Sequence, residues 1–313
     1  MSVGAVFYQT ALLSSMILLG YVLSKTGYFT AEHSSFLSRL LLDLCIPAMI
    51  LSAGSTDLGE GGLSSAAAVV VLFLAVMFFF TFFCSLLGKL LKLPPDEALV
   101  FSRSASYPNN GFMGLPLATA LFGTQGTVWC AFTMLAGNIY LFTMVLQSFS
   151  RTQKGQKGDW KSHLLSLVTP LNISSVLMLV MMFTGWKLPA FPKAFCDSLG
   201  DCTTPLAMMV VGNLLASSPL LETLKRPALY LITLFRNILT PLTLACLLKA
   251  LGWSRDLDLC LVLMMGCSIA STVSIVANRY NRAPAFASQA LLQTNLLLPL
   301  SLPLVMSLAQ QIL

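Results

Sequence analysis

SASYPNNGFMGLPL, residues 104–117, lies within Glu97–Phe122, a stretch otherwise apolar enough to cross a bilayer. Pro108 has no amide hydrogen and its ring clashes with the preceding turn, while Gly111 and Gly114 weaken a helix further. Asn109 and Asn110 are poor helix-interior residues that bring amide donors and acceptors to bilayer depth. Backbone groups left unsatisfied in hydrocarbon cost several kcal/mol each, so a break survives there only by packing in protein or lining a cavity. Two readings are open. One is a proline kink packed against neighbours. The other is a discontinuous helix whose free amide ends and asparagines hold a ligand, which makes Pro108, Asn109, Asn110 and Gly111 candidate binding residues.

Composition sets the same scene. Of 313 residues, 56% are hydrophobic and only 10% charged, with a mean hydropathy of +0.81. A soluble domain carries about 25% charged residues to cover its surface, so lipid is the solvent for much of this one. The first apolar stretch, Val3–Leu23, has no basic residue ahead of it and reads as a retained span, not a signal peptide. The eight cysteines lie mostly in apolar stretches without metal-ligand spacing and read as small packing residues. Cys196 and Cys202 alone sit close together near a predicted outer loop, where a disulfide is an alternative. There is no His/Cys/carboxylate cluster, phosphate-binding loop or paired intramembrane carboxylates. The expectation is no enzyme, no metal, no cofactor and no nucleic-acid partner, with the net charge of +6 placed in loops by membrane orientation.

A span takes about 20 apolar residues over about 30 Å of hydrocarbon. Ten stretches qualify: Val3–Leu23, Phe36–Ser52, Ser64–Leu87, Glu97–Phe122, Thr124–Phe149, Leu164–Gly185, Thr203–Leu221, Pro227–Leu251, Leu259–Asn278 and Ala283–Leu313. Eleven basic loop residues, from Lys25 to Arg282, then fall on one side and four, Lys187, Lys193, Lys249 and Arg255, on the other. The richer side is cytoplasmic, which puts both termini outside. The fold expected is an all-α polytopic protein of the cytoplasmic membrane. Its basic loop, 151–163, separates a first five-span half, 1–150, from a second, 164–313. An odd number of spans per half turns the second upside down, the arithmetic of an inverted repeat. Span nine then matches span four, and its GCSIASTVSIVANRYN (266–281) offers Ser271, Thr272 and Ser274. Small residues also serve plain helix packing.

Charges inside spans default to function. Arg39 and Asp43 are four apart and stack on one face. They read as a self-neutralising pair, or Asp43 as a proton carrier. Arg103 either snorkels to the interface or attracts an anion into the vestibule. Arg236 lies deep in span eight with no partner evident in the sequence.

Five segments in order carry a resemblance: GYVLSKTGYF (20–29), LSRLLLDLCIPAMIL (37–51), YPNNGFMGLPL (107–117), LGDCTTPLAMMVVGNLLA (199–216), and ANRYN (277–281) with ALLQTNLLLPLSLPL (290–304). Nearly the whole chain resembles the auxin efflux carrier family, which includes the plant PIN-formed auxin carriers and many bacterial members. The resemblance implies ten spans in two inverted repeats, with broken spans four and nine crossing near mid-membrane. They would lie in a mobile transport domain beside a scaffold that often forms a homodimer. It implies an elevator-like movement of small organic anions. Asn109 falls on the family's crossover asparagine, and Ile46 and Pro47 on its pocket-facing second-span region. The departure is in span nine: relatives usually carry a proline near the point matching Ile269 and often an asparagine near Thr272. This chain has neither, so a gentler second crossover with hydroxyl contacts is expected.

The function expected is a secondary transporter of a small organic anion, a carboxylate, across the cytoplasmic membrane. The alternatives are a sodium-coupled symporter of organic anions, and a membrane sensor that binds in the same pocket without transport.

Overall fold

The computed structural model describes residues 3–55, 62–150, 169–216 and 223–313. The basic loop 151–163, and the adjoining parts of spans six and seven at 164–168 and 217–221, lie outside the described residues. Regular structure among the described residues is helical throughout. Six helices among the described residues are long and apolar enough to cross a membrane, and Ala11–Lys25 and Ile173–Thr184 add shorter apolar ones. The chain is a polytopic helical membrane protein.

In chain order the helices are α1 (Val3–Lys25), α2 (Ala31–Ala53), α3 (Gly62–Leu90), α4 (Pro95–Ser106), α5 (110–122), α6 (124–150), α7 (Pro170–Thr184), α8 (Ala190–Asp201), α9 (Thr203–Ala216), α10 (Pro227–Leu251), α11 (Arg255–Met265), α12 (Ser271–Arg279) and α13 (Pro284–Ile312). Asn110–Ser150 counts 41 residues, which as one straight helix would run about 60 Å, twice the hydrocarbon thickness. It doubles back at Gly123, whose φ of 62° and ψ of −148° suit a residue without Cβ. The α5 and α6 arms face each other across this hairpin, with the Thr119 and Thr127 hydroxyls bonded at 2.8 Å.

The helices sort into two packed groups. In one, α1 packs on α9, and α2 on α7, α8 and α9. In the other, α3 to α6 pack with one another and with α10 to α13. Each group therefore draws helices from both ends of the chain. The α1–α9 contact is backbone to backbone: a Cβ on Gly20 or Gly212 would overlap the facing carbonyl of Met209 or Ile17. In the larger group, Asp96 and Glu97 in the first turn of α4 pair with Arg282 and Arg226, ahead of α13 and α10. The unpredicted amphipathic helix α8 lays Gly200 against Met49 of α2.

Four wide π-type turns interrupt the helices among the described residues, at Leu41–Cys45, Asn110–Gly114, Leu141–Val145 and Leu234–Leu239. Such turns cost regular hydrogen bonding and recur at functional sites. Three of these four contribute residues to the cavity described next.

Candidate functional site: two crossed helix breaks and a cavity

The helix α4 ends at Ser106, and the chain runs extended through Tyr107 (φ −102°, ψ 107°) before α5 opens at Asn110. On the other half, α11 ends at Met265 and α12 opens at Ser271. The two uncoiled segments lie antiparallel, Pro108 opposite Ile269. The Asn109 N–H donates to the Ser268 carbonyl at 2.8 Å, and the Ala270 N–H to the Tyr107 carbonyl at 3.1 Å. Each break thus satisfies backbone groups of the other, as a strand pair would.

The gentler second crossover expected from the missing proline is corrected. That segment is as fully uncoiled as the first, because outside residues hold it open. Gly266 caps α11. The Arg236 guanidinium, 0% exposed, donates to the Met265 carbonyl and, through Nε at 3.2 Å, to the Cys267 carbonyl. It thereby sets a positive charge against the negative end of the α11 dipole. From α13, Asn295 Oδ1 accepts the Ser268 hydroxyl at 2.8 Å and Thr294 Oγ1 accepts the Ile269 N–H at 3.4 Å. The partners of Arg236 among the described residues are backbone carbonyls, not an acid.

A cavity of about 460 Å³ opens beside the crossing, where the two helix groups meet. Pro108, Asn109, Asn110 and Gly111 line it from one break, and Ser271, Thr272 and Ser274 from the other. The first residues of both α5 and α12 therefore face the same space. Amides at helix starts have no intrahelical acceptor, and the dipoles there favour negative charge. Asn109 caps its own helix, its Oδ1 accepting the Phe112 N–H at 3.3 Å. Its side-chain nitrogen has no partner among the described residues, although the residue is only 6% exposed. The Asn110 side chain donates to Thr133 Oγ1 at 3.0 Å, and its Oδ1 is buried without a partner. Ser274 shares a hydrogen bond with Ser288 at 3.0 Å.

The helix α2 supplies Ser38, Leu42 and Asp43 to the wall, and Asp43 is the one charged side chain on it among the described residues. Ile46 and Pro47, expected on this wall, do not line it; both are buried in the core. The wide turn at Leu41–Cys45 shifts the helical register, so the face that carries Leu42 and Asp43 to the cavity turns Ile46 and Pro47 away. The same turn undoes the expected stacking of Arg39 and Asp43: both are exposed, and no ion pair joins them. Arg103 neither snorkels nor lines the cavity. At 8% exposed it donates to Ser148 and Ser102 hydroxyls, both at 3.0 Å. Cys196 and Cys202 are free thiols. The wall from α6, with Met134, Asn138 and Phe142, was missed by sequence reading. Asn138, a polar residue in an uncharged span, was the available signal.

No group of three or more His, Cys, Asp or Glu side chains able to hold a metal occurs among the described residues. A family model described as "Membrane transport protein" matches residues 5–306. A protein named as an uncharacterized transporter from Methanocaldococcus jannaschii is 28% identical over 235 residues, covering 73% of this chain and 74% of the relative. Another named in the same words, from Methanothermobacter thermautotrophicus, is 24% identical over 199 residues, 63% and 64% of the two chains. With its helices cut for a bilayer and broken around a shared cavity, the chain belongs to the membrane transport protein family, that of the auxin efflux carriers.

Proposed function

We propose that this membrane transporter is a secondary carrier of a small organic anion, a carboxylate, in the cytoplasmic membrane. Its ten spans form two inverted five-span repeats, 1–150 and 164–313, joined by the basic loop 151–163, with both termini outside. The larger helix group carries the crossing and the smaller serves as scaffold, the two sliding past each other in an elevator-like exchange, with the scaffold offering a homodimer face.

One observation carries this reading: two helix starts from opposite halves, together with the unpartnered Asn109 amide, converge on one cavity between the two groups. A carboxylate there accepts hydrogen bonds from amide donors otherwise left without acceptors. Ser271 and Thr272 add hydroxyls, while Leu42, Val210 and Leu214 face the apolar remainder of the substrate. Arg103 and Arg236, both buried and without a carboxylate partner among the described residues, add positive potential behind the crossing. Arg236 also takes up carbonyls at the end of α11, where a coupling cation would otherwise bind, which supports transport without sodium at that end.

The test is tracer flux of short carboxylates in proteoliposomes. Asn109→Ala is expected to lower flux about tenfold or more with the melting temperature preserved. Wild-type flux from that variant would remove the crossing from the substrate path.

A further inference from the structure

The cavity is polarised. At the crossing it presents amide donors, the first amides of α5 and α12 and the Asn109 side-chain nitrogen, beside the Ser271 and Thr272 hydroxyls. On α2, in the other helix group, it presents a carboxylate, Asp43, which has no hydrogen-bond or ionic partner among the described residues. Arg39, one turn away, forms no ion pair with it. A simple carboxylate would be drawn to the crossing and repelled by Asp43 within the same cavity. A substrate with a cationic end as well would find a complement for each charge.

We infer that the cavity takes a zwitterion of the α-amino-acid type, its carboxylate at the crossing and its ammonium on Asp43. This rests on the carrier reading above and narrows its substrate class. The two ends of the ligand then touch different helix groups, and the side chain lies against Leu42, Met134, Val210 and Leu214. A volume of about 460 Å³ suits a small ligand of this kind.

The experiment uses the full chain, purified and reconstituted, with three probes on one carbon skeleton. Leucine carries both charges, 4-methylpentanoate lacks the amine and 3-methylbutylamine lacks the carboxylate; phenylalanine, 3-phenylpropionate and phenethylamine repeat the set. Binding is read by melting shift and transport by flux. The zwitterion of at least one set is expected to bind about tenfold or more tightly than either truncated probe. Asp43→Asn should erase its advantage over the des-amino acid, whereas Asp43→Glu should keep the order. Asn109→Ala should weaken both carboxylate-bearing probes and leave the amine unchanged. A des-amino acid that binds as well as its amino acid, unaltered by Asp43→Asn, overturns the zwitterion and leaves the anion carrier standing. Tightest binding by the amine overturns both. A series in which no probe shifts melting or moves across the membrane overturns the zwitterion.

Discussion

The two helix breaks reach the same shape by different means. The first is written into its own residues: Pro108 withholds a hydrogen-bond donor, and Asn109 turns its side chain back to cap the helix that follows. The second has only Gly266 locally, and is held open by Arg236 from α10 and by Thr294 and Asn295 from α13. A break encoded locally is visible in a single sequence. One encoded by tertiary contacts is not, and its stability depends on residues far along the chain.

That contrast is breakable by mutation. The largest effect belongs to Arg236→Met, which leaves the Met265 and Cys267 carbonyls without their donor in a region water does not reach. The expected loss is several kcal/mol, seen as poor recovery of folded protein or a much lower melting temperature. Arg236→Lys should fall between, since an ammonium lacks the fork that spans two carbonyls. Wild-type melting of the methionine variant would mean the second break holds itself open. Next comes Ser268→Ala, which removes the bond to Asn295 and should cost about 1 kcal/mol in unfolding measurements. The smallest effect is expected from Pro108→Ala. With the Asn109 cap on α5 and the backbone bonds to Ser268 and Ala270 retained, the segment should stay uncoiled, and amide exchange across 107–110 should change little. Strong new protection there, with loss of flux, would show that proline alone keeps the first break open.

Much of this was legible. The segment 104–117 announced its break, the boundary between spans four and five fell at Gly123, and Ser271, Thr272 and Ser274 did reach the cavity. The facing of α2 was not legible. A wide turn such as Leu41–Cys45 has no residue signature, yet it redirects every side chain beyond it, which is why Ile46 and Pro47 lie in the core while Asp43 reaches the cavity. Arg236 and Arg103 were noticed as costly charges. Their partners, carbonyls and serine hydroxyls, exist only once distant helices have packed.

The bridge between Pro108 and Ile269 also bears on how the chain is made. The carbonyl and amide that satisfy Tyr107 and Asn109 belong to residues near the far end of the chain. At translation rates of about 5–20 residues per second, the first break waits on the order of ten seconds before its partner is synthesised. During that interval its polar backbone needs a temporary host, in the insertion machinery or at the headgroup boundary. The nascent first half therefore reaches its finished hydrogen bonding only when the second half arrives.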